Sequence, residues 1–379
     1  MPVIIRSIQE QIKKDLQKKI VLVAGPRQCG KTTMANSIQA NPEYLNYDNL
    51  DDRSQILARH WDRKKGLIIF DELHKMPKWK SWIKGIYDKE KNNPPILVTG
   101  SARLNALKKV GDSLAGRHFY LRLHPFDLKE LASSNIKMSE EEIFSRLMTV
   151  GGYPEPFMNG DERDYRRWRQ GHLDIIIKQD LAGLEQVRDL GSLEVLIQLL
   201  RTKVGSAISI NALATDLQKD PKTVKRWLEI LEDLFVIFKV PPYSKDISRA
   251  VKKEPKYYFY DTGFVQGDSA QRLENLVACS LLKECHFRTD VEGRPFNLFF
   301  LKVKGGREID FAMIPESNED CSQLIEVKWA DSDASPNFKL FAPTFKNSQR
   351  VQLVQNLKRE YVTTTGVEIR KASSWLCHF

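Results

Sequence analysis

The stretch that most constrains the fold lies near the N-terminus. Residues 20–24 (IVLVA) form an apolar, largely β-branched run, and Gly25-Pro26-Arg27-Gln28-Cys29-Gly30-Lys31-Thr32-Thr33 follows at once, leading into a helix-forming segment, TTMANSIQA. A strand that feeds a glycine-rich loop and then a helix gathers backbone N–H groups and the positive end of the helix dipole at one place, a cradle for phosphate. In the spacing G-x-x-x-x-G-K-[ST], Lys31 is placed to reach β- and γ-phosphates and Thr32 to hold Mg²⁺ through its hydroxyl, while Gly25 to Thr33 wrap the nucleotide through their backbone. Such a unit belongs in an α/β fold with a parallel sheet.

A second apolar run, Leu67-Ile68-Ile69-Phe70, ends in two carboxylates, Asp71 and Glu72. An aspartate at a strand end can order the shell of Mg²⁺, and the adjacent glutamate can polarise a water for attack on a γ-phosphate. A third run, Ile96-Leu97-Val98, ends in Thr99-Gly100-Ser101, so Thr99 or Ser101 is placed to sense that phosphate from a neighbouring strand. Arg117, in DSLAGR, is either a surface arginine or a group that completes a neighbouring subunit's site and neutralises transition-state charge there. The second role requires a homo-oligomer.

The series GPRQCGKTT, IIFDEL, LVTGSA and DSLAGR resembles the prokaryotic AAA-type ATP-binding proteins that carry a C-terminal restriction-endonuclease-like region. The resemblance implies an AAA+-like P-loop core with one extra strand between the acid-pair strand and the phosphate-loop strand, and it implies ATP hydrolysis. Cys29 departs from that pattern, at a position expected to vary freely because the loop holds phosphate through its backbone.

A chain of 379 residues exceeds what one hydrophobic core usually organises. Lys and Arg outnumber Asp and Glu by 59 to 49, a net charge of +10 that suits a polyanionic partner such as DNA. The five cysteines, Cys29, Cys279, Cys285, Cys321 and Cys377, show no CxxC spacing, which argues for a reducing compartment. The charged N-terminus lacks the apolar core of a signal peptide, and no window approaches the ~20 apolar residues of a membrane span, so a cytoplasmic protein is expected.

The turn-rich Gly151-Gly152-Tyr153-Pro154-Glu155-Pro156 suggests a domain boundary, with a basic helical run over 163–178 beyond it. Residues 209–240 then read as helix-turn-helix, with Leu213, Leu217, Val224, Leu228 and Leu231 at helical spacing around Lys219-Asp220-Pro221. Asp220 is a cap residue and Pro221 suits the first helical position, which sets Lys222, Thr223, Lys225 and Arg226 near the start of the second helix. The runs FVIFKV and KYYFY would supply a wing. Two readings stay open: a winged helix that docks on DNA, mostly through non-specific phosphate contacts from these residues and Lys245, Arg249, Lys252 and Lys253, or one that serves as a packing or oligomerisation module.

Toward the C-terminus, Arg307-Glu308-Ile309-Asp310 and Leu324-Ile325-Glu326-Val327-Lys328 read as two strands. Alternation puts Glu326 and Lys328 on one face, and a hairpin-like return brings Asp310 beside them. Two carboxylates could hold Mg²⁺ there while the ammonium activates hydroxide, and Glu274, on a helical segment, could be a further metal ligand. The arrangement resembles the PD-(D/E)XK nucleases, with Asp310, Glu326 and Lys328 in the core positions; whether such a site cuts nucleic acid or only binds it stays open. The sequence thus predicts an α/β chain in three parts: an AAA-type P-loop ATPase over 1–150 using ATP and Mg²⁺, a helical and winged-helix connector over 151–262, and a restriction-endonuclease-like α/β domain over 263–379.

Overall fold

A computed structural model describes residues 4–100, 114–177, 189–244, 254–303, 305–316, 322–330 and 333–379. Ser101, Lys245, Arg249, Lys252 and Lys253 lie outside them. Internal contacts divide the chain into two compact units, Met1–Pro125 with Asp233–Phe235, and Phe126–Glu232 with Val236–Phe379.

The first unit is built on a five-stranded sheet of β1 (Ile20–Ala24), β2 (Glu43–Asn46), β3 (Ile68–Asp71), β4 (Ile96–Gly100) and β5 (His118–Arg122) in the order β2-β3-β4-β1-β5. Every neighbouring pair is parallel. β1, β3 and β4 are buried along their whole length, as expected of central strands covered on both faces. The parallel sheet anticipated from sequence is present, and β4 is the strand inserted between the acid-pair strand and the phosphate-loop strand.

In the second unit, helices Ile210–Leu217 and Pro221–Asp233 precede an antiparallel pair, β6 (Ile237–Val240) and β7 (Lys256–Phe259). The second helix starts at Pro221, and the Asp220 side chain accepts the backbone N–H of Lys222 at 2.8 Å. A six-stranded sheet follows, made of β8 (Phe296–Lys302), β9 (Glu308–Pro315), β10 (Gln323–Lys328), β11 (Gln349–Val354), β12 (Tyr361–Val362) and β13 (Val367–Lys371). Its order is β12-β13-β11-β10-β9-β8. β8, β9 and β10 form an antiparallel meander, and β10, β11 and β13 run parallel. Leu301, Ile309, Ala312, Leu324, Phe338 and Ile369 are among the core side chains on this sheet.

The boundary expected near residue 150 falls inside this second unit. Gly151, Gly152 and Tyr153 are buried. The Gly152 N–H donates to Asp261 Oδ1 at 2.8 Å, and its carbonyl accepts the Phe126 N–H at 2.7 Å. Tyr165 adds its hydroxyl to Asp261 Oδ2 at 3.1 Å. Glycines that read as a joint are here the place where backbone meets a buried carboxylate, and complete burial pushes that carboxyl up to about 7. The division expected at 262 also lies within the second unit.

Candidate functional site

β1 delivers the glycine-rich loop from the centre of the first unit's sheet, where Ala24 is paired with Gly100 on β4 and Arg122 on β5. The loop turns tightly. A Cβ at Gly25 would lie 2.2 Å from the Leu123 carbonyl oxygen, and Gly30 takes φ 93° as the helix Lys31–Ser37 begins. Lys31 is buried, and its ammonium donates to the carbonyls of Gly25 at 3.1 Å and Pro26 at 2.6 Å. Arg27 acts on the site by charge, drawing the Glu72 carboxyl down, while Thr33 is exposed on the helix. Gln28 takes φ 60° within the loop.

The expectation that the Cys29 position varies freely is corrected by its packing. The side chain is fully buried, and its thiol reaches the Leu123 carbonyl at 3.7 Å. It fills the space under the loop even though the loop would hold a ligand through its backbone.

Asp71, at the end of β3, is the hub of the site. Its Oδ2 accepts the hydroxyls of Thr32 at 2.7 Å and Tyr44 at 2.8 Å, and its Oδ1 accepts that of Thr99 at 2.6 Å. The Glu72 N–H adds a bond to Oδ1 at 3.1 Å. Thr99 sits opposite Asp71 in the β3–β4 register, so its hydroxyl orients the aspartate. Tyr44 was not anticipated; it stands on β2, opposite Ile69 of β3, in a stretch without a motif. Three neutral donors hold this carboxylate without neutralising it. Burial beside Asp71 also holds the Tyr44 hydroxyl well above its ordinary range, so it is a firm donor.

Glu72 follows with φ 56°, a left-handed backbone held by its N–H to the Thr99 carbonyl at 2.9 Å. Its Oε2 accepts no hydrogen bond and lies 3.4 Å from the Lys75 ammonium and 3.6 Å from His74 Nε2. Burial raises its carboxyl above the usual range, against the pull of Lys75 and Lys31. A carboxylate poised high and close to the loop is suited to taking a proton from water. Thr32 and Asp71 bring two hard oxygens together beside the loop, a donor set that fits Mg²⁺.

Arg117 stands at the opposite end of the sheet. It precedes His118, which pairs with Ile20 at the start of β1, and its Nε donates to Asp88 Oδ1 at 2.7 Å. It does not serve the phosphate loop of its own subunit.

The C-terminal residues gather around β9 and β10. Asp310 Oδ2 accepts the Val327 N–H at 2.8 Å, and Glu326 Oε1 meets the Lys328 ammonium at 2.9 Å. Glu274, on the helix Ser269–Asp290, accepts the Tyr258 hydroxyl at 2.7 Å. The four residues expected from sequence therefore come to one place. A fifth, Lys256 of β7, was not anticipated, and it sits among them with 1% of its side chain exposed. Its ammonium lies 3.0 Å from Glu308, 3.4 Å from Glu274 and 3.8 Å from Asp310. Burial would lower this ammonium's pKa, but the carboxylates outweigh it and raise it. Burial, with the charges of Glu274 and Glu326, drives the Asp310 carboxyl well above its ordinary value, and burial raises Glu326. Among the described residues, no group of three or more His, Cys, Asp or Glu is arranged to hold a metal ion. The expected set of Glu274, Asp310 and Glu326 is not such a group here, and the Lys256 ammonium lies against two of its three members, Glu274 and Asp310.

On the helix Pro221–Asp233, Lys222, Lys225 and Arg226 are exposed, and their spacing puts them on one face while Val224, Leu228 and Leu231 are buried on the other. Among the described residues, no helix is long and apolar enough to cross a membrane.

Residues 17–132 match the family described as an AAA domain. Most of that match lies in the first unit and includes the glycine-rich loop. Residues 141–273 match a domain of unknown function, DUF8612, and neither match reaches the six-stranded sheet. An uncharacterized protein of Mycobacterium tuberculosis is 26% identical over 250 residues, 65% of this chain and 55% of its own length. The chain thus spans about half the length of that relative. An uncharacterized protein of Haemophilus influenzae is 22% identical over 397 residues, 94% of each chain. A RuvB structure from Thermotoga maritima covers 62% of this chain and 89% of its own at 18% identity, with a TM-score of 0.31.

Proposed function

We propose that this chain is an AAA-type ATPase that binds and hydrolyses ATP with Mg²⁺ and acts on DNA. The observation that carries the ATPase reading is Asp71, held by the hydroxyls of Thr32, Thr99 and Tyr44 directly beside the loop and next to the Glu72 carboxyl, which burial raises. In this reading Lys31 leaves the Gly25 and Pro26 carbonyls for the β- and γ-phosphates, where ion pairs with anionic oxygens replace bonds to neutral carbonyls. Thr32 and Asp71 would hold Mg²⁺, which supplies neutralisation of phosphate charge. Glu72 takes a proton from the attacking water. Arg117 serves a neighbouring subunit of a homo-oligomer, and Ser101, with Thr99, senses the γ-phosphate.

DNA is supported by the exposed face of Lys222, Lys225 and Arg226 and by the net charge of +10. That face would act as the recognition side of a winged helix, through phosphates and without base-specific reading. The nuclease-like reading of the C-terminal sheet is supported by the meeting of Asp310, Glu326, Lys328 and Glu274. The buried Lys256 favours a second reading, in which that sheet does not cut and ATP drives a conformational switch toward a protein partner.

The test is phosphate release from ATP with and without double-stranded or single-stranded DNA, with DNA integrity read in the same samples. Lys31→Ala should lose nucleotide binding, and Glu72→Gln should bind and not turn over. Undiminished turnover in both variants overturns the ATPase reading, and turnover indifferent to intact DNA favours the switch.

A further inference from the structure

We propose that Lys256 is the resident cation of the C-terminal carboxylate site and that this site takes no divalent ion. The inference rests on the nuclease-like reading of the six-stranded sheet and changes what that site does. A metal-dependent site of this kind needs converging carboxylates whose charge is balanced only when the ion arrives. Here the balance is already supplied. The Lys256 ammonium is 3.0 Å from Glu308 Oε1, 3.4 Å from Glu274 Oε1 and 3.8 Å from Asp310 Oδ1. An ion bound by Asp310 and Glu274 would lie within a few ångströms of that ammonium, whose side chain is 1% exposed, so water would screen the repulsion only in part.

Nor does the lysine have an open way out. Its side chain is 1% exposed, its ammonium lies over the Phe300 ring at 5.3 Å from the centroid, and β7 fixes its backbone through pairing with Val240. Tyr258, two residues along the same strand, donates to the Glu274 oxygen that Lys256 faces and so ties that carboxylate to the same arrangement. Glu326 keeps one buried oxygen without a hydrogen bond, while the other is taken by Lys328. With no divalent ion to activate water, the sheet keeps its carboxylates as an internal ion-pair network joining β7, β9 and the helix Ser269–Asp290.

Mn²⁺ titration of the nucleotide-free full chain, with free Mn²⁺ followed by electron paramagnetic resonance and Tm measured in parallel, tests this. The wild-type chain and Lys256→Arg should show no Mn²⁺ site that depends on Asp310, and Mn²⁺ should leave their Tm in place. Lys256→Met should gain one Mn²⁺ and a Tm that rises with Mn²⁺, and adding Asp310→Asn to it should abolish both. A wild-type Mn²⁺ site lost in Asp310→Asn overturns the proposal, as does a folded Lys256→Met chain that takes no Mn²⁺. If Lys256→Met does not fold even with Mn²⁺, the wild-type and Asp310→Asn pair decides. Failure of the ATPase reading would appear in the Lys31 and Glu72 variants and leave this result untouched.

Discussion

Asp71 is buried and Asp310 half-buried, each near a strand end, and their neighbours treat them in opposite ways. Asp71 receives hydroxyls from Thr32, Tyr44 and Thr99, which fix its direction and leave its charge in place. Asp310 faces the Lys256 ammonium, with Glu274 and Glu308 on the same cation. Neutral donors prepare a carboxylate for a cation still to come, whereas a buried ammonium gives it one for good. The same residue type, at the end of β3 in one unit and near the start of β9 in the other, would thus serve recruitment in the proposed ATP site and cohesion in the six-stranded sheet.

The largest break of this contrast is Lys256→Met, which leaves three carboxylates without their shared cation. We expect a loss of about 3–5 kcal/mol in unfolding free energy, read from the urea midpoint. Glu72→Gln should lower ATP turnover by roughly 10²–10³-fold with nucleotide binding kept, as measured by phosphate release and fluorescent-nucleotide titration. Because burial raises the Glu72 carboxyl, wild-type turnover should fall with acid at a higher pH than an ordinary carboxylate would dictate.

Asp261 sharpens the comparison, since it too is held by neutral donors but is fully buried. Its carboxyl is near 7 in the fold and 3.8 otherwise, so the folded state binds the extra proton between those values. Stability should therefore fall as pH rises from about 4 to about 7, by on the order of 3 kcal/mol, and level off above. Asp261→Asn should remove that slope in urea melts at pH 5 and pH 8. Smallest is Tyr44→Phe, which deletes one of the bonds on Asp71 and costs about 1 kcal/mol. Its Mg²⁺ requirement for turnover should rise several-fold while the fold and nucleotide affinity without Mg²⁺ hold.

Much of this was legible where the determinants are local. The loop from Gly25 to Thr33 announces itself through its glycines and its flanking strand and helix, and Asp220-Pro221 marks a helix start by its chemistry. Asp310 and Glu326 could be placed together because two adjacent antiparallel strands with a period of two leave little freedom. Lys256 could not, because it enters from β7, a strand of a different sheet. Tyr44 carries no motif, and its role comes only from parallel pairing of β2 with β3. Gly151 and Gly152 read as part of a domain boundary because a glycine pair looks the same whether it must bend or must make room. What decided between these was Asp261, more than a hundred residues away in sequence.

The grip of the loop on its own lysine has one more consequence. Lys31 is bonded to the Gly25 and Pro26 carbonyls, so a ligand that takes its ammonium must replace two peptide oxygens. A ligand gains the ammonium only by offering better acceptors than two peptide oxygens. In the proposed ATP reading a polyphosphate tail would do so and a bare nucleoside would not, so the lysine's own bonds would sort incoming molecules by the charge they carry at one end.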